Sequence, residues 1–324
     1  MDNLSGKVVV ITLNYNQNQF TLECVKSILE SDFGNFEVLL IDNGSTSQNQ
    51  KELEKLLPFD PRLILHVITP NRGYVGGINY SLDLCKVQDS DYVLIMNNDT
   101  LIDKEAIGEL VKTCKKHHDE AIVSGKVYHY DRPSVIQDIG YSFTNEKYLN
   151  CRQIGLDEAD TGQYDEEVER DLLDDVFWLF PFKLYKEIGG YSKYFWFDYE
   201  QADFALRAKK IGYKLIYTPH AKIWHKGSPS VGGRILNPVQ AYYSMQGALI
   251  YRYLHLSRWN FVKYYIKTGT GILGSFLKWF LGVKTGSGRL KYNVAKLKGF
   301  AYFNRWIVRK NENTGENPFI TDNK

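Results

Sequence analysis

The chain has 324 residues, of which 44% are hydrophobic and 24% are charged. This composition is that of a folded globular protein and excludes a largely disordered one. The net charge of +2 hides a strong asymmetry. Residues 1–203 carry 19 Lys and Arg against 35 Asp and Glu, whereas residues 204–310 carry 20 Lys and Arg and no acid. Residues 311–324 hold the remaining one Lys and three acids. We therefore expect the two parts to face different partners, and the basic part to face nucleic acid or an anionic membrane.

The four cysteines are scattered along the chain without a CxxC pair. This spacing excludes a cysteine-based metal site and a small disulfide framework, and it favours free thiols in a reducing cytosol. The apolar run at residues 7–13 is too short for the core of a signal peptide. We therefore expect a cytoplasmic protein.

Short apolar runs alternate with amphipathic stretches over the first 116 residues. The runs predict strands, and the helical spacing of apolar residues between them predicts helices. Such alternation is typical of a mostly parallel sheet with helices on both faces, whose ligands bind at the carboxyl ends of the strands. The predicted strands are 8–13, 36–41, 63–68 and 92–96, and the predicted helices are 20–29, 51–57, 74–84 and 104–116.

The pattern then changes. Residues 121–130 and 136–143 predict longer and less regular strands, 176–181 a short buried run, and 199–211 a helix that ends at Gly212. Residues 157–175 include ten acids in nineteen positions and predict a solvated loop. From residue 237 onward the chain reads as amphipathic helix.

Polar residues follow three of the predicted strands. Asn14-Tyr15-Asn16 follows the first, Asp42-Asn43-Gly44-Ser45 the second and Asn97-Asn98-Asp99 the fourth. Turns and helix caps favour the same residue types, so one such segment alone would need no function. Three of them at one edge of a sheet favour a ligand-binding site.

The sequence resembles glycosyltransferase family 2 over roughly residues 7–230, and within it the branch of bacterial rhamnosyltransferases and related enzymes of surface-polysaccharide assembly. No single block is decisive, but their order and spacing make the combination specific. The blocks that carry the resemblance are Val9–Asn16, Leu40–Ser45, Asn71–Asn79, Leu94–Thr100, Gly189–Tyr191, Tyr199–Arg207 and Ile223–His225.

The resemblance implies the GT-A fold, an α/β nucleotide-diphospho-sugar transferase fold with a Rossmann-like mixed sheet. We assign residues 1–235 to this domain, with a nucleotide-binding part at about 1–120 and an acceptor part at about 121–235. A basic, aromatic helical extension would follow at 236–310 and a flexible tail at 311–324.

The implied activity is inverting transfer of one sugar from a UDP- or dTDP-sugar to a glycan or lipid-linked polysaccharide precursor. Asp42 matches the carboxylate that reads the pyrimidine base, and Asn14 and Tyr15 match residues that line the nucleotide. Arg72 lies in the block that approaches the donor, where a guanidinium suits a diphosphate. The remaining positions assigned to donor binding are Asn43, Gly76, Asn79, Asn97 and Asn98.

Asp99 matches the family's metal-binding aspartate, and His225 matches a histidine that often completes the metal site. Mn²⁺ or Mg²⁺ held there would stabilise the leaving nucleoside diphosphate. Asn97 stands where many relatives have Asp, so we expect a modest metal affinity. A lone histidine is also explained by a purely structural role.

The general base is where the sequence departs from the family. The family pattern is Glu-Asp-x-Asp with the first Asp as base, and this chain has Glu200-Gln201-Ala202-Asp203. An amide at residue 201 accepts no proton at neutral pH. Either Glu200 or Asp198 takes over the role, or Asp203 does, or the chain is inactive or mechanistically unusual. Asp203 also stands four residues before Arg207, the spacing of a helix-fixing ion pair.

Residues 251–310 carry thirteen Lys and Arg, no acid, and many aromatic residues. The most apolar stretch, 269–283, is too short for a membrane span and contains Lys278. A basic amphipathic helix of this kind lies on an anionic bilayer surface, so we expect peripheral attachment to the inner face of the membrane. A helical packing surface is the alternative, and nucleic acid is less favoured.

Two rival functions stay open at this stage. A noncatalytic protein that binds sugar nucleotides or glycans on the same fold is favoured by Gln201 at the expected base position. A nucleic-acid-binding protein is favoured by the basic C-terminal part.

Overall fold

The computed structural model describes residues 6–85, 91–227, 237–281 and 288–319. Strands and helices alternate through the first part of the chain, as predicted, and their bounds move by a few residues at most. The elements of this part are β1 (Val8–Asn14), α1 (Asn18–Leu29), β2 (Phe36–Asn43), α2 (Ser47–Leu56), β3 (Leu63–Ile68), α3 (Gly73–Leu84), β4 (Tyr92–Met96), β5 (Thr100–Ile102) and α4 (Ala106–Lys116).

The second part is richer in short strands and ends in three helices. Its elements are β6 (Ala121–His129), β7 (Ile136–Asp138), β8 (Tyr141–Asn145), β9 (Asn150–Gln153), β10 (Val168–Glu169), β11 (Phe177–Pro181), α5 (Phe182–Ile188), α6 (Glu200–Lys210), β12 (Lys214–His225), α7 (Pro238–His255), α8 (Arg258–Phe280) and α9 (Arg289–Arg309).

One mixed sheet organises the described residues. Its strand order is β10-β12-β6-β11-β4-β1-β2-β3, with β5 paired to β12 and β7 to β6. The strands β3, β2, β1 and β4 are parallel, as predicted. The strand β11 is antiparallel to both of its neighbours, β4 and β6. Because of this reversal, the start of β11 lies beside the carboxyl end of β4.

Both faces of the sheet are buried, which explains the continuous apolar runs of its strands. In β1, Val9 and Ile11 join a core with α3, α6, α7 and α9. Val8 and Val10 point to the other face, in a core with α1 and α4. The strands therefore hold their carboxyl ends in a fixed frame between two helical layers.

Two segments differ from the sequence-based expectation. The strand predicted over 136–143 is split in two, because Gly140 has a φ of +92° and turns the chain between β7 and β8. The acidic stretch 157–175 is not wholly solvated. Leu172 and Leu173 enter the core, and Asp160 and Asp165 both pair with the buried ammonium group of Lys126 at 2.8 Å.

The helices α7, α8 and α9 follow the sheet, and the predicted boundary at residue 235 lies outside the described residues. Across the described ranges, no helix combines the length and apolar character needed to cross a membrane. Residues 311–319, which composition places in a flexible tail, lie against α7. Tyr243 donates a hydrogen bond to the carbonyl of Gly315 (2.8 Å), and Phe319 packs against Tyr242.

The indole of Trp196 lies between distant parts of the chain. A Cβ added to Gly73, at the start of α3, would come 2.5 Å from Trp196 Cδ2. A Cβ added to Gly315 would come 2.4 Å from Cζ2 of the same ring. Both glycines have positive φ, so any side chain there meets backbone strain as well as the ring.

Candidate active site

A cavity of about 380 Å³ opens where β1 and β4 end and β11 begins. It is rich in carboxylates and amides, as expected for the carboxyl edge of an α/β sheet. Its lining residues are Leu13, Gln17, Tyr74, Met96, Asn97, Asn98, Asp99, Asp174, Asp175, Val176, Phe197, Asp198, Glu200, Gln201 and Gln240.

Asn14 and Asp42 meet behind this cavity, because β1 and β2 pair them in parallel register. The Asn14 amide donates to Asp42 Oδ2 at 2.7 Å, and the other Asp42 oxygen accepts from the Ser45 amide at 3.0 Å. Both residues are fully buried. In this structure they fix the loops after β1 and β2. Tyr15, which follows Asn14 in the first of these loops, is half exposed.

Asn43 ties the end of β2 to the loop before α3. Its side chain donates to the Gly73 carbonyl (2.9 Å) and accepts from the Arg72 amide (3.1 Å). The guanidinium of Arg72 stacks over the Tyr80 ring, and the Arg72 Cβ lies 2.7 Å from where a Gly76 side chain would begin. The loop is therefore tightly determined, although none of these five residues lines the cavity.

Asn79 has both ends of its side chain engaged. It donates to the Tyr191 carbonyl and accepts from the Tyr191 amide, each at 2.8 Å. This pair of hydrogen bonds fixes the segment that leads to the cavity-lining residues Phe197 and Asp198, and Asn79 itself lies outside the cavity.

A chain of hydrogen bonds joins the ends of β4 and β1. Asn98 donates to Thr21 Oγ1, which donates to Asn14 Oδ1, each at 2.8 Å. Asn97 lies beside the start of β11, where its amide donates to the Val176 carbonyl at 3.1 Å. Both asparagines line the cavity.

Asp99 and His225 come together because β5, which begins one residue after Asp99, pairs with the end of β12. Asp99 Oδ1 lies 3.1 Å from His225 Nε2, and both side chains are largely buried. The other ring nitrogen, Nδ1, lies 2.6 Å from Gln137 Oε1. Since an amide oxygen only accepts, this contact assigns the hydrogen of the neutral ring to Nδ1.

With this tautomer Nε2 faces the Asp99 carboxylate at 3.1 Å, where both atoms can ligate one cation. A carboxylate oxygen and an imidazole oriented by an amide suit Mn²⁺ or Mg²⁺ bound with further oxygen ligands. Within the described residues, no group of three His, Cys, Asp or Glu forms a complete metal site. A metal held here would take its remaining ligands from a diphosphate and from water.

Four more carboxyl groups belong to the cavity lining: Asp174, Asp175, Asp198 and Glu200. Burial, and then the charge of Asp174, raises the pKa of Asp175 to about 7. The hydroxyls of Tyr74 and Tyr191 donate to Asp175 at 2.9 Å and 2.6 Å. Asp198 accepts from the Ser244 hydroxyl of α7, and burial raises its pKa as well.

Asp174 and Asp175 are functional candidates that sequence reasoning missed, because it placed them in a solvated acidic loop. The signal that marks them is their position directly before the buried run that becomes β11. Only the antiparallel direction of that strand brings its start to the carboxyl edge, and the apolar run itself does not reveal its direction.

Glu200 has the least satisfied carboxylate of the cluster. It is 3% exposed and lines the cavity, and within the described residues its Oε2 has no hydrogen-bond partner. Burial, followed by the charges of Asp175, Asp198 and Asp174, raises its pKa well above the ordinary value. A buried, unpartnered carboxylate aimed at a cavity is a candidate proton acceptor.

Asp203 lies one turn further along α6 and outside the cavity. Both of its oxygens are taken, one by Arg207 Nε at 2.8 Å and the other by His255 Nε2 at 2.7 Å. Arg207 also donates to the carbonyls of Ile188 and Gly190. This arrangement joins α6 to α7 and engages both Asp203 oxygens within the protein, and Asp203 does not belong to the cavity lining.

The comparison with sequence families gives a match over the first part of the chain. Residues 8–163 match the model of glycosyl transferase family 2. This part, just under half of the chain, is similar to that family.

Three relatives illustrate the range of similarity. Glycosyltransferase GlyG of Streptococcus pneumoniae serotype 4 is 27% identical over 130 residues, 40% of this chain and 41% of that protein. An N-acetylglucosaminyltransferase of Azorhizobium caulinodans is 29% identical over 115 residues, 35% of this chain and 28% of that protein. A poly-β-1,6-N-acetyl-D-glucosamine synthase of Staphylococcus aureus is 24% identical over 238 residues, 72% of this chain and 53% of that protein. These matches span about half or less of each relative, and the rhamnosyltransferase branch stays a prediction.

Among solved structures, GalNAc-T7 with UDP, GalNAc and Mn²⁺ has a TM-score of 0.64 to this chain. The superposition covers 96% of this chain and 58% of that one at 12% sequence identity. At this identity the similarity shows the fold alone. It confirms the predicted GT-A fold with a mixed sheet and C-terminal helices.

Proposed function

We propose that the chain is an inverting, metal-dependent glycosyltransferase that moves one sugar from a nucleoside-diphosphate sugar to a glycan acceptor. The observation that carries the proposal is that Asp99 and Glu200 line the same cavity. Asp99 contacts His225 outside that lining, a pair of residue types that suits a metal, and Oε2 of the buried Glu200 has no hydrogen-bond partner among the described residues. Donor and acceptor would meet between these two groups.

The donor half of the proposal rests on the strand ends. Asn97 and Asn98 line the cavity next to Asp99, where their amides suit diphosphate and sugar oxygens. A divalent metal held by Asp99 and His225 would neutralise charge on the leaving diphosphate. The Asn14–Asp42 pair supports the loops that would receive the base. We propose UDP or dTDP as the nucleotide.

The acceptor half rests on Glu200. The acceptor oxygen attacks the anomeric carbon, the bond from that carbon to the diphosphate oxygen breaks, and the hydroxyl proton passes to the Glu200 carboxylate. Attack opposite to the leaving group inverts the anomeric centre. A raised pKa makes Glu200 a stronger base once it is ionised. The relative that synthesises poly-β-1,6-N-acetyl-D-glucosamine supports a polysaccharide precursor as the acceptor.

The first test is turnover of donors by the purified chain. A panel of UDP-, dTDP- and GDP-sugars is incubated with Mn²⁺ or Mg²⁺, with and without EDTA, and release of the nucleoside diphosphate is measured. We expect release from one donor that EDTA abolishes. Membrane extract supplies an acceptor if hydrolysis alone is too slow.

Gln201 favours a second candidate, a protein that binds sugar nucleotides without turning them over. Calorimetric binding of each nucleotide in the presence of Mn²⁺ separates the two. Metal-dependent binding with no release from any donor, even with acceptor present, supports the binding function and contradicts the transferase.

A further inference from the structure

Helix α8 presents an apolar stripe that the rest of the described chain does not cover. The residues of the stripe recur at spacings of three, four and seven, so they share one face of the helix. Each is between 42% and 80% exposed. They are Trp259, Val262, Ile266, Leu273, Leu277 and Phe280.

The opposite face of α8 is packed. Phe261 and Tyr265 contact Phe303 of α9, and Phe300 stacks near Tyr265 with ring centroids 4.7 Å apart. An exposed apolar stripe on a helix that is packed by another face indicates an interaction surface.

A cavity of about 490 Å³ lies between α7, α8 and α9, on the flank of the stripe. Three ammonium groups, those of Lys263, Lys267 and Lys296, line it together with hydroxyl and amide side chains, and no Asp or Glu belongs to its lining. Across the described ranges, no salt bridge involves these lysines. The ammonium groups of Lys263 and Lys296 lie over the rings of Trp259 and Tyr292. Uncompensated positive charge in a concave site attracts anions.

The apolar stripe, the lysines and the cavity follow one another around the axis of α8. At about 100° per residue, Lys263 and Lys267 fall between the stripe and the cavity-lining positions Tyr264 and Gly271. An anionic group in the cavity would thus lie beside an apolar phase that covers the stripe. That is the arrangement of a lipid headgroup and its hydrocarbon.

We propose that the cavity between α7, α8 and α9 binds the phosphate group of an anionic lipid, while the stripe of α8 lies in the surface of the bilayer. The phosphate oxygens would accept hydrogen bonds from the lysines and from the Tyr264 and Thr268 hydroxyls, which suit an anion because each can donate. The proposal does not depend on transferase activity, since its readout is binding.

Helix α7 places the two sites next to each other. The Ser244 hydroxyl donates to Asp198, which lines the candidate active-site cavity. The next residue, Met245, lines the cavity between α7, α8 and α9. A lipid phosphate bound between α7, α8 and α9 would therefore hold the candidate active-site cavity near the bilayer surface.

Co-sedimentation with vesicles tests the proposal. The full chain is mixed with vesicles of phosphatidylcholine alone, or of phosphatidylcholine with about one third phosphatidylglycerol. We expect strong binding only to the anionic vesicles. The double variant Lys263→Gln/Lys267→Gln should lower partitioning by about five-fold for each lysine removed. The matched control, Lys51→Gln/Lys55→Gln on exposed positions of α2, should not change it.

Variants at two glycines of α8 distinguish binding in the cavity from general attraction between the basic surface and the vesicle. An added side chain meets nothing within 4 Å at either Gly271 or Gly274, but only Gly271 lines the cavity. We expect Gly271→Leu to reduce the preference for anionic vesicles, and Gly274→Leu to leave it intact. Ile266→Asn in the stripe should weaken binding to vesicles of both compositions. Circular dichroism checks that each variant is folded.

Several outcomes would overturn the proposal. One is equal binding to both kinds of vesicle or no effect of the lysine variant. Another is that inorganic pyrophosphate raises Tm only when the lysines are present, while vesicle binding is the same with and without them. That result would assign the cavity to a free anion. A dimer in light scattering that Ile266→Asn dissolves would assign the stripe to a second copy. Salt-sensitive binding to DNA without vesicle binding would assign the surface to nucleic acid.

Discussion

The Asp203 carboxylate and the His255 imidazole join α6 to α7 through a contact of 2.7 Å between Oδ1 and Nε2. Burial alone would raise the pKa of Asp203, but the hydrogen bonds and charges of His255 and Arg207 together hold it below its ordinary value. A buried carboxylate with two such partners stabilises the junction of two helices.

We expect Asp203→Asn to lower the free energy of unfolding by about 3–5 kcal/mol, because it leaves the largely buried guanidinium of Arg207 without its counter-charge. Urea unfolding followed by circular dichroism measures the change. The control is Glu109→Gln, which breaks an exposed pair with Lys112 and should cost under about 1 kcal/mol. Equal losses in the two variants would contradict the structural role.

Replacing Glu200 by Gln should lower kcat by about 10²–10⁴ and leave the KM for the donor nearly unchanged, because the variant keeps the shape of the cavity and removes the proton acceptor. Steady-state release of the nucleoside diphosphate in the presence of acceptor measures both constants. Asp198→Asn serves as the comparison. If the larger loss of kcat follows Asp198→Asn, the base is Asp198.

Replacing Asn97 by Asp should tighten Mn²⁺ binding by on the order of tenfold, since a second carboxylate adds charge beside Asp99. Electron paramagnetic resonance of free Mn²⁺ measures this without any turnover. Asp99→Asn should abolish specific binding in the same titration. Unchanged binding in both variants would place the metal elsewhere.

Gln137 is a positioning residue for the same site, because its amide oxygen holds Nδ1 of His225. We expect Gln137→Leu to weaken Mn²⁺ binding by about 10–100-fold, the usual range when the partner of a ligating histidine is lost. Restored binding in Gln137→Glu, which keeps an acceptor, would distinguish positioning from a general loss of structure.

The pH dependence of stability should carry the signature of Asp175. Its pKa of about 7 in the folded chain lies above the unfolded value of about 3.9. The stability that this group contributes is therefore fully present below about pH 4 and is lost as pH rises through about 7. Asp175→Asn should raise Tm relative to the parent chain more at pH 8 than at pH 5. Exposed Asp131→Asn provides the control, and equal shifts at both pH values would contradict the assignment.

The central sheet could be predicted from the sequence because its strands are buried on both faces and read as unbroken apolar runs between amphipathic helices. The residues Asn97, Asn98 and Asp99 could be placed at the cavity because they follow such a run directly. Asp174 and Asp175 could not, since their position depends on the reversed direction of β11. Nor could the sequence show that Asn79 is already engaged by the backbone of Tyr191, because that contact joins segments 112 residues apart.

The ring of Trp196 connects the end of the described chain to the start of α3. The ring fills the space left by Gly73 at the start of α3 and by Gly315 near the C-terminus. Because the indole is rigid, a displacement of residues 311–319 is transmitted to the loop that carries Arg72. We therefore expect any extension or fusion that lifts Gly315 away from the indole to loosen the loop that carries Arg72.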